Sequence, residues 1–222
     1  MIKAVLFDMD GVIIDTEPLH RKAYFGMFDH YQIEVLEKQY QSFTGQSTIN
    51  VCRQLCAFFE LPNPPQELVD KKRSIFKQLF KSDPDLDLIA GVRELIQNYH
   101  EAGLTLVLAS SASMGTINSV FERFDLDQYF VDKLSGANLE ASKPHPEIFL
   151  KAAQSSGFSI ENCMVIEDST SGITAAKAAK SYCVAFKSPH SKNQDYSKAD
   201  KIISNFTEIH YPKINHYFNK LN

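Results

Sequence analysis

No stretch of this sequence reaches the roughly 18 uncharged apolar residues that a membrane-spanning helix needs, so a transmembrane chain is excluded. Positive charge is not in excess either. Lys and Arg number 23 against 27 Asp and Glu, for a net charge of −4 and a pI near 6.0, whereas nucleic-acid-binding proteins usually carry a basic field. A secretory core is missing at the N-terminus, where Ile2-Lys3-Ala4-Val5-Leu6-Phe7 runs at once into Asp8. Cysteine is scarce: Cys52, Cys56, Cys163 and Cys183 form no CxxC pair. Without an export signal, four reduced and mostly buried thiols are expected rather than a disulfide framework. Internal repeats and low-complexity tracts are also absent, with Gly and Pro at 9 each. These absences predict a soluble, cytoplasmic protein, with no nucleic-acid or membrane partner, and its size suggests a monomer.

What is present is a regular alternation. The 222 residues allow one large domain or a main domain with an insert, and a chain this long buries enough surface to need no covalent staples. Four apolar runs read as strands: Ala4–Phe7, Leu104–Leu108, Cys163–Ile166 and Tyr182–Phe186, with a shorter fifth at Lys201–Ile203. They are apolar at nearly every position rather than alternating, as parallel strands covered on both faces require. Helical patterns separate them at Gly91–His100, Pro146–Ala153 and Ile173–Ala179. The fold predicted is a doubly wound, Rossmann-like α/β sheet.

One segment breaks the rhythm. From Thr16 to about Asp85 only helix-like stretches appear, at Glu17–His30, Ile33–Gln41, Thr48–Glu60 and Pro65–Lys81. That is too much chain for a strand-to-strand crossover. It predicts an inserted α-helical subdomain over residues 16–85, with residues 1–15 and 86–222 forming the α/β domain. The tail from Phe206 to Asn222 reads as a terminal helix.

In an open α/β sheet, ligands sit at the carboxyl ends of the strands. Those ends offer Asp8 and Asp10, then Ser110-Ser111, then Lys143 on a loop, then Glu167-Asp168. Four carboxylates crowded on one rim cannot share it while all ionised, so either their pKa values rise or a cation sits among them. A cluster of oxygen ligands without His or Cys suits Mg²⁺. Lys143, the Ser110 hydroxyl and backbone N–H groups near Asp10 and Ser111 would match a phosphate guest. The charge pattern therefore points to phosphoryl transfer, in which positioning and neutralisation are most of catalysis.

The run Asp8-Met9-Asp10-Gly11-Val12, followed in order by Ser110, Lys143 and Glu167-Asp168, resembles the four motifs of the haloacid dehalogenase-like (HAD) superfamily. The helical insert after the first motif matches its members with a cap at that place. Asp15-Thr16-Glu17-Pro18-Leu19-His20 and Lys143-Pro144-His145-Pro146-Glu147 are similar to the sugar-phosphate phosphatase and β-phosphoglucomutase branch. The resemblance implies Asp8 as nucleophile and Asp10 as general acid and base. It implies Mg²⁺ held by Asp8, the Asp10 carbonyl and Asp168, with Glu167 as an extra ligand. Ser110, Ser111 and Lys143 would bind the phosphoryl group. Dehalogenases resemble this pattern but lack the second Asp, which disfavours dehalogenation.

Each residue alone has a plainer reading. Asp8 and Asp10 could simply end a strand, Ser110 could cap the next helix, Lys143 could be solvated, and Glu167-Asp168 could cap the Ile173 helix. Their joint occurrence, in order on one rim, favours the catalytic assembly. Within the insert, Glu17 and His20 lie beside the predicted hinge, and Gly45 and Gln46 lie in a loop expected over the pocket. Lys71-Lys72-Arg73 reads as a solvated helix face, and His145, His190, His210 and His216 show no metal spacing. A mutase grips a second phosphate. Yet neither Thr44-Gly45-Gln46-Ser47-Thr48 nor Ser111-Ala112-Ser113-Met114 contains Lys or Arg. The expectation is a Mg²⁺-dependent phosphatase for a small phosphorylated metabolite of the sugar-phosphate kind, with a β-phosphoglucomutase-like phosphohexomutase as the alternative.

Overall fold

The computed structural model describes residues 1–43, 48–188 and 193–219. Strand β1 (Ala4–Phe7) is followed by helices α1 (Glu17–His30), α2 (Glu37–Gln41), α3 (Thr48–Phe58) and α4 (Pro65–Ser82). Then come α5 (Val92–Glu101), β2 (Thr105–Ser110), α6 (Met114–Phe124), β3 (Asp132–Ser135), α7 (Glu147–Ser156) and β4 (Cys163–Glu167). The chain closes with α8 (Thr170–Ala178), β5 (Tyr182–Phe186), β6 (Lys201–Ile203) and α9 (Lys213–Asn219). Contacts gather these elements into two compact units, Met1–Asp15 with Asp87–Asn222, and Thr16–Leu86.

The first unit is built on a six-stranded, all-parallel sheet in the order β3-β2-β1-β4-β5-β6. β1 and β4 are buried at every position, which their unbroken apolar sequences require once helices cover both faces. Each covering helix turns one apolar stripe inward: Val92, Leu95, Ile96 and Tyr99 from α5, Ile148, Phe149 and Ala152 from α7, and Ile173, Ala175 and Ala176 from α8. The small residues of α8 let it lie close to β4 and β5 within a core that includes Val165, Cys183 and Ala185. Strand order reverses between β1 and β4, and such a reversal opens a crevice beyond the strands' carboxyl ends.

Two features of this unit differ from expectation. β3 has the sequence Asp-Lys-Leu-Ser and is half-buried at the sheet edge, so it carries no apolar run to read. The terminal helix is interrupted. A short 3-10 turn at Phe206–Glu208 is closed by a capping box between Asn205 and Glu208, and α9 begins only after Pro212, which has no N–H to continue an incoming helix.

Among its described residues, the regular elements of the second unit are all helices. Leu19, Ala23, Tyr24, Met27 and Phe28 are the buried residues of α1 and follow helical spacing; Tyr24, Met27 and Phe28 pack with Leu68 and Val69 of α4, and with Val51, Cys52 and Leu55 of α3. The helix expected over Ile33–Gln41 forms only from Glu37, because Gln32 has a φ of +54° and Leu36 is extended. Ile33 and Val35 are nonetheless buried. Lys72 is a further correction. Far from facing solvent it is 4% exposed, with its ammonium over the rings of Tyr24 and Phe76 at 4.8 and 5.2 Å. All four cysteines are free. Among the described residues no helix is long and apolar enough to cross a membrane.

Candidate active site

Asp8 is the first residue past β1, and its N–H donates to the Ile166 carbonyl at 3.0 Å. Because Phe7 pairs with Ile166 in the sheet, this register sets Asp8 beside the Glu167-Asp168 pair that ends β4. On the other side of β1, β2 ends at Ser110 and presents the Ala109 carbonyl. Into this gap comes Lys143. Its ammonium lies 2.5 Å from Asp8 Oδ1, 2.7 Å from Glu167 Oε1 and 3.0 Å from the Ala109 carbonyl oxygen. Carboxylate oxygens of Asp8, Glu167 and Asp168 lie within 4.8 Å of one another, and all three residues are buried. The cluster sits at the point where strand order reverses.

Among the described residues three carboxylates meet here, and the Lys143 ammonium pairs with two of them, Asp8 and Glu167. Burial pushes the Asp8 pKa well above the ordinary carboxylate value; Lys143 opposes this, and the charges of Glu167 and Asp168 add to it. For Lys143, burial works against the ammonium, but the carboxylates of Asp8 and Glu167 outweigh it and hold its pKa above the usual lysine value. A buried, all-oxygen donor set of three carboxylates fits a hard divalent cation such as Mg²⁺.

Two glycines make the crowding possible. Gly11 has a φ of +82°, natural only for glycine, and a Cβ there would overlap the Asp168 carboxyl. Gly172, in the first turn of α8, lies so close to Glu167 that a Cβ would overlap that carboxyl. Ser110 is buried, and its hydroxyl accepts from the Ala112 N–H at 3.0 Å. Ser135, at the end of β3, donates to the Ala112 carbonyl at 2.6 Å, so this loop is pinned from both sides.

The structure thus brings Asp8, Lys143, Glu167 and Asp168 together. The cluster holds three carboxylates rather than four. Asp10 lies beyond the strand in a tight turn, half-buried, where the N–H groups of Ile13 and Ile14 donate to the Met9 carbonyl at 2.8 and 3.0 Å. Ser111 is exposed, with its backbone against Gly136. Helix caps fall elsewhere than on the acids and Ser110: Ser113 caps α6 and Ser169 caps α8. In the helical unit, Glu17 accepts from the Tyr40 hydroxyl at 3.2 Å. His20 is stacked on Phe76 at 4.4 Å, and its Nδ1 is 2.7 Å from the Lys72 ammonium. Burial, reinforced by the Lys72 charge, lowers the His20 pKa to about 3. Gly45 and Gln46 lie outside the described residues. Residues absent from the sequence reading are Ser135, Ser169 and Gly172. The signal for Ser169 was available, since Ser directly before a helix is a strong capping preference.

The profile of the haloacid dehalogenase-like hydrolases matches residues 5–186. The chain belongs to that family. Hexitol phosphatase B of Escherichia coli is 30% identical over 209 residues, which cover 94% of each chain. The phosphorylated carbohydrates phosphatase of Thermotoga maritima is 32% identical over 182 residues, 80% of this chain and 82% of that one. A crystal structure from Thermotoga maritima, described provisionally as a β-phosphoglucomutase, has a TM-score of 0.81 at 28% identity and covers 94% of this chain and 96% of its own. These relatives put the chain in the sugar-phosphate branch of the family, as the motifs implied.

Proposed function

We propose that this protein hydrolyses a small phosphorylated sugar or sugar alcohol with Mg²⁺, through a phosphate ester formed on Asp8. The coarser statement, a phosphoric monoester hydrolase, rests on the family and on its phosphatase-named relatives. One observation supports the finer reading most: buried Lys143 joins Asp8 to Glu167 next to Asp168, at the reversal point of the sheet.

Asp8, Asp168 and the Asp10 carbonyl would hold the cation, with Glu167 in support. Bound there, Mg²⁺ would neutralise the acidic cluster and the phosphoryl oxygens. Lys143, the Ser110 hydroxyl and backbone N–H groups near Ser111 would fix the phosphoryl group. The Asp8 carboxylate would attack phosphorus while the bond to the ester oxygen breaks, and Asp10 would give that oxygen its proton. Water would then attack the aspartyl-phosphate, Asp10 taking the proton, to release inorganic phosphate and restore Asp8. Lys143 favours the ionised Asp8 that this first step needs.

A panel of phosphate monoesters assayed with Mg²⁺ tests this. Turnover of sugar or hexitol phosphates is expected, and Asp8→Asn should abolish it while leaving the circular dichroism spectrum intact. The mutase reading draws on the β-phosphoglucomutase-like structure. Glucose 6-phosphate formed from β-glucose 1-phosphate with a bisphosphate activator, without free phosphate, would establish it instead.

A further inference from the structure

Glu167 is 1% exposed, the least exposed acid of the cluster, and it uses its two oxygens differently. Oε1 faces the Lys143 ammonium at 2.7 Å. Oε2 accepts three hydrogens, from the N–H groups of Asp168 and Ser169 and from the Ser169 hydroxyl, each at 2.9 Å. A serine hydroxyl has one hydrogen and two acceptor sites. In Ser169 the hydrogen goes to Glu167, while the oxygen accepts from the Gly172 N–H at 3.1 Å and has the Ser171 hydroxyl at 3.4 Å. The same atom therefore caps α8 and orients the acid. Gly172 forms a wall on the other side, since nothing larger fits against Glu167.

We propose that Ser169 is a positioning residue for the reaction. Its hydroxyl turns Glu167 Oε2 toward the start of α8, which leaves Oε1 aimed at Lys143 and keeps that ammonium at one distance from Asp8. Ser169 touches no reacting atom; it acts through Glu167. The inference rests on the phosphatase reading above and deepens it, by naming a group that sets the phosphate-binding and cation-binding geometry. The competing view is that Ser169 only caps a helix.

The two views separate on Ser169→Gly. Glycine is nearly as good a cap as serine, with a cost of only a few tenths of a kcal/mol, but it cannot donate to Glu167. The variant should melt near the wild-type temperature. Its KM for the phosphate ester should rise about tenfold or more, as losses of groups that orient ligands typically do, with a smaller change in kcat. The Mg²⁺ concentration that gives the half-maximal rise in melting temperature, measured without substrate, should increase similarly. Ser169→Thr keeps the hydroxyl and should restore both values. Asn205→Ala removes a cap at the 3-10 turn before α9 and should lower melting temperature without moving either. Wild-type KM and Mg²⁺ midpoint in Ser169→Gly would overturn the proposal, as would a Ser169→Thr protein that behaves like the glycine variant. If Ser169→Gly does not fold, a normal KM and midpoint in Ser169→Ala would overturn it equally. Wild-type protein inactive on every ester would defeat the phosphatase reading, yet the Mg²⁺ melting series would still decide the role of Ser169.

Discussion

Replacing Lys143 with Met removes an ammonium 2.5 Å from Asp8 and 2.7 Å from Glu167 while keeping most of the stem's volume. The side chain is only 5% exposed, so bulk water cannot take over its role. Removing one partner of a buried ion pair costs about 3–5 kcal/mol, because the other charge stays behind uncompensated. Two carboxylates are stranded here, and Asp168 is a third nearby, so the upper part of that range, about 4–5 kcal/mol, is expected at pH 7.5 without divalent cations. The cost should also depend on pH, and its sign follows from Asp8. Burial already raises its folded pKa above the unfolded value, and losing Lys143 raises it further. A carboxyl raised in this way contributes stability that is complete below its unfolded pKa, about 4. That contribution is lost as pH climbs through the folded pKa. The penalty of Lys143→Met should therefore shrink at pH 4.5, where Asp8 can take a proton. Urea unfolding of both proteins with a chelator, at pH 7.5 and 4.5, measures it. A difference below about 1 kcal/mol at pH 7.5, far under the cost of a broken buried pair, or an equal difference at both pH values, would refute this account of the site.

Asp8→Asn makes a related prediction: with no group to titrate at that position, the metal-free protein should lose less stability between pH 4.5 and 7.5 than wild type, as urea midpoints would record. Gly172→Ala should invert helix propensity. Alanine normally gains up to about 1 kcal/mol over glycine inside a helix, but here its methyl would displace Glu167, so the melting temperature and kcat/KM should both fall. In the helical unit, His20 should stay neutral down to pH about 3. Below about pH 6.5 the unfolded chain takes up a proton that the folded one refuses, and stability should fall by up to about 1.4 kcal/mol per pH unit in that window. An imidazole NMR titration of His20 checks this, and a midpoint near 6.5 would contradict it.

Much of the α/β unit is legible in the amino acids because its inner strands are covered on both faces, which leaves unbroken runs such as Cys163–Ile166. β3 escapes for the same reason in reverse. At the edge, with Asp132 and Lys133 half-buried, it has no apolar signal to offer, and parallel pairing with β2 alone defines it. Asp8, Lys143, Glu167 and Asp168 could be picked out because a strand end or loop predicts a place on one rim. Lys72 could not. Its neighbours Lys71 and Arg73 make it read as part of a charged face, and only the tertiary packing of Tyr24 and Phe76 encloses it. Ser169 and Gly172 lay hidden behind their ordinary meanings, a cap and a helix glycine, since the carboxyl they shape is apparent only in three dimensions.

Within the α/β unit, Ile14 and Leu88 form an antiparallel bridge, and the Ile89 N–H reaches the Ile13 carbonyl at 2.9 Å. The exit from β1 and the return toward α5 are therefore stitched together before and after the whole helical block. Because its ends already adjoin, lengthening, trimming or exchanging that block alters closure entropy only logarithmically. It is a cassette: evolution or an engineer can swap the part between Thr16 and Leu86 for another of different size without re-threading a single strand of the sheet that bears the acids.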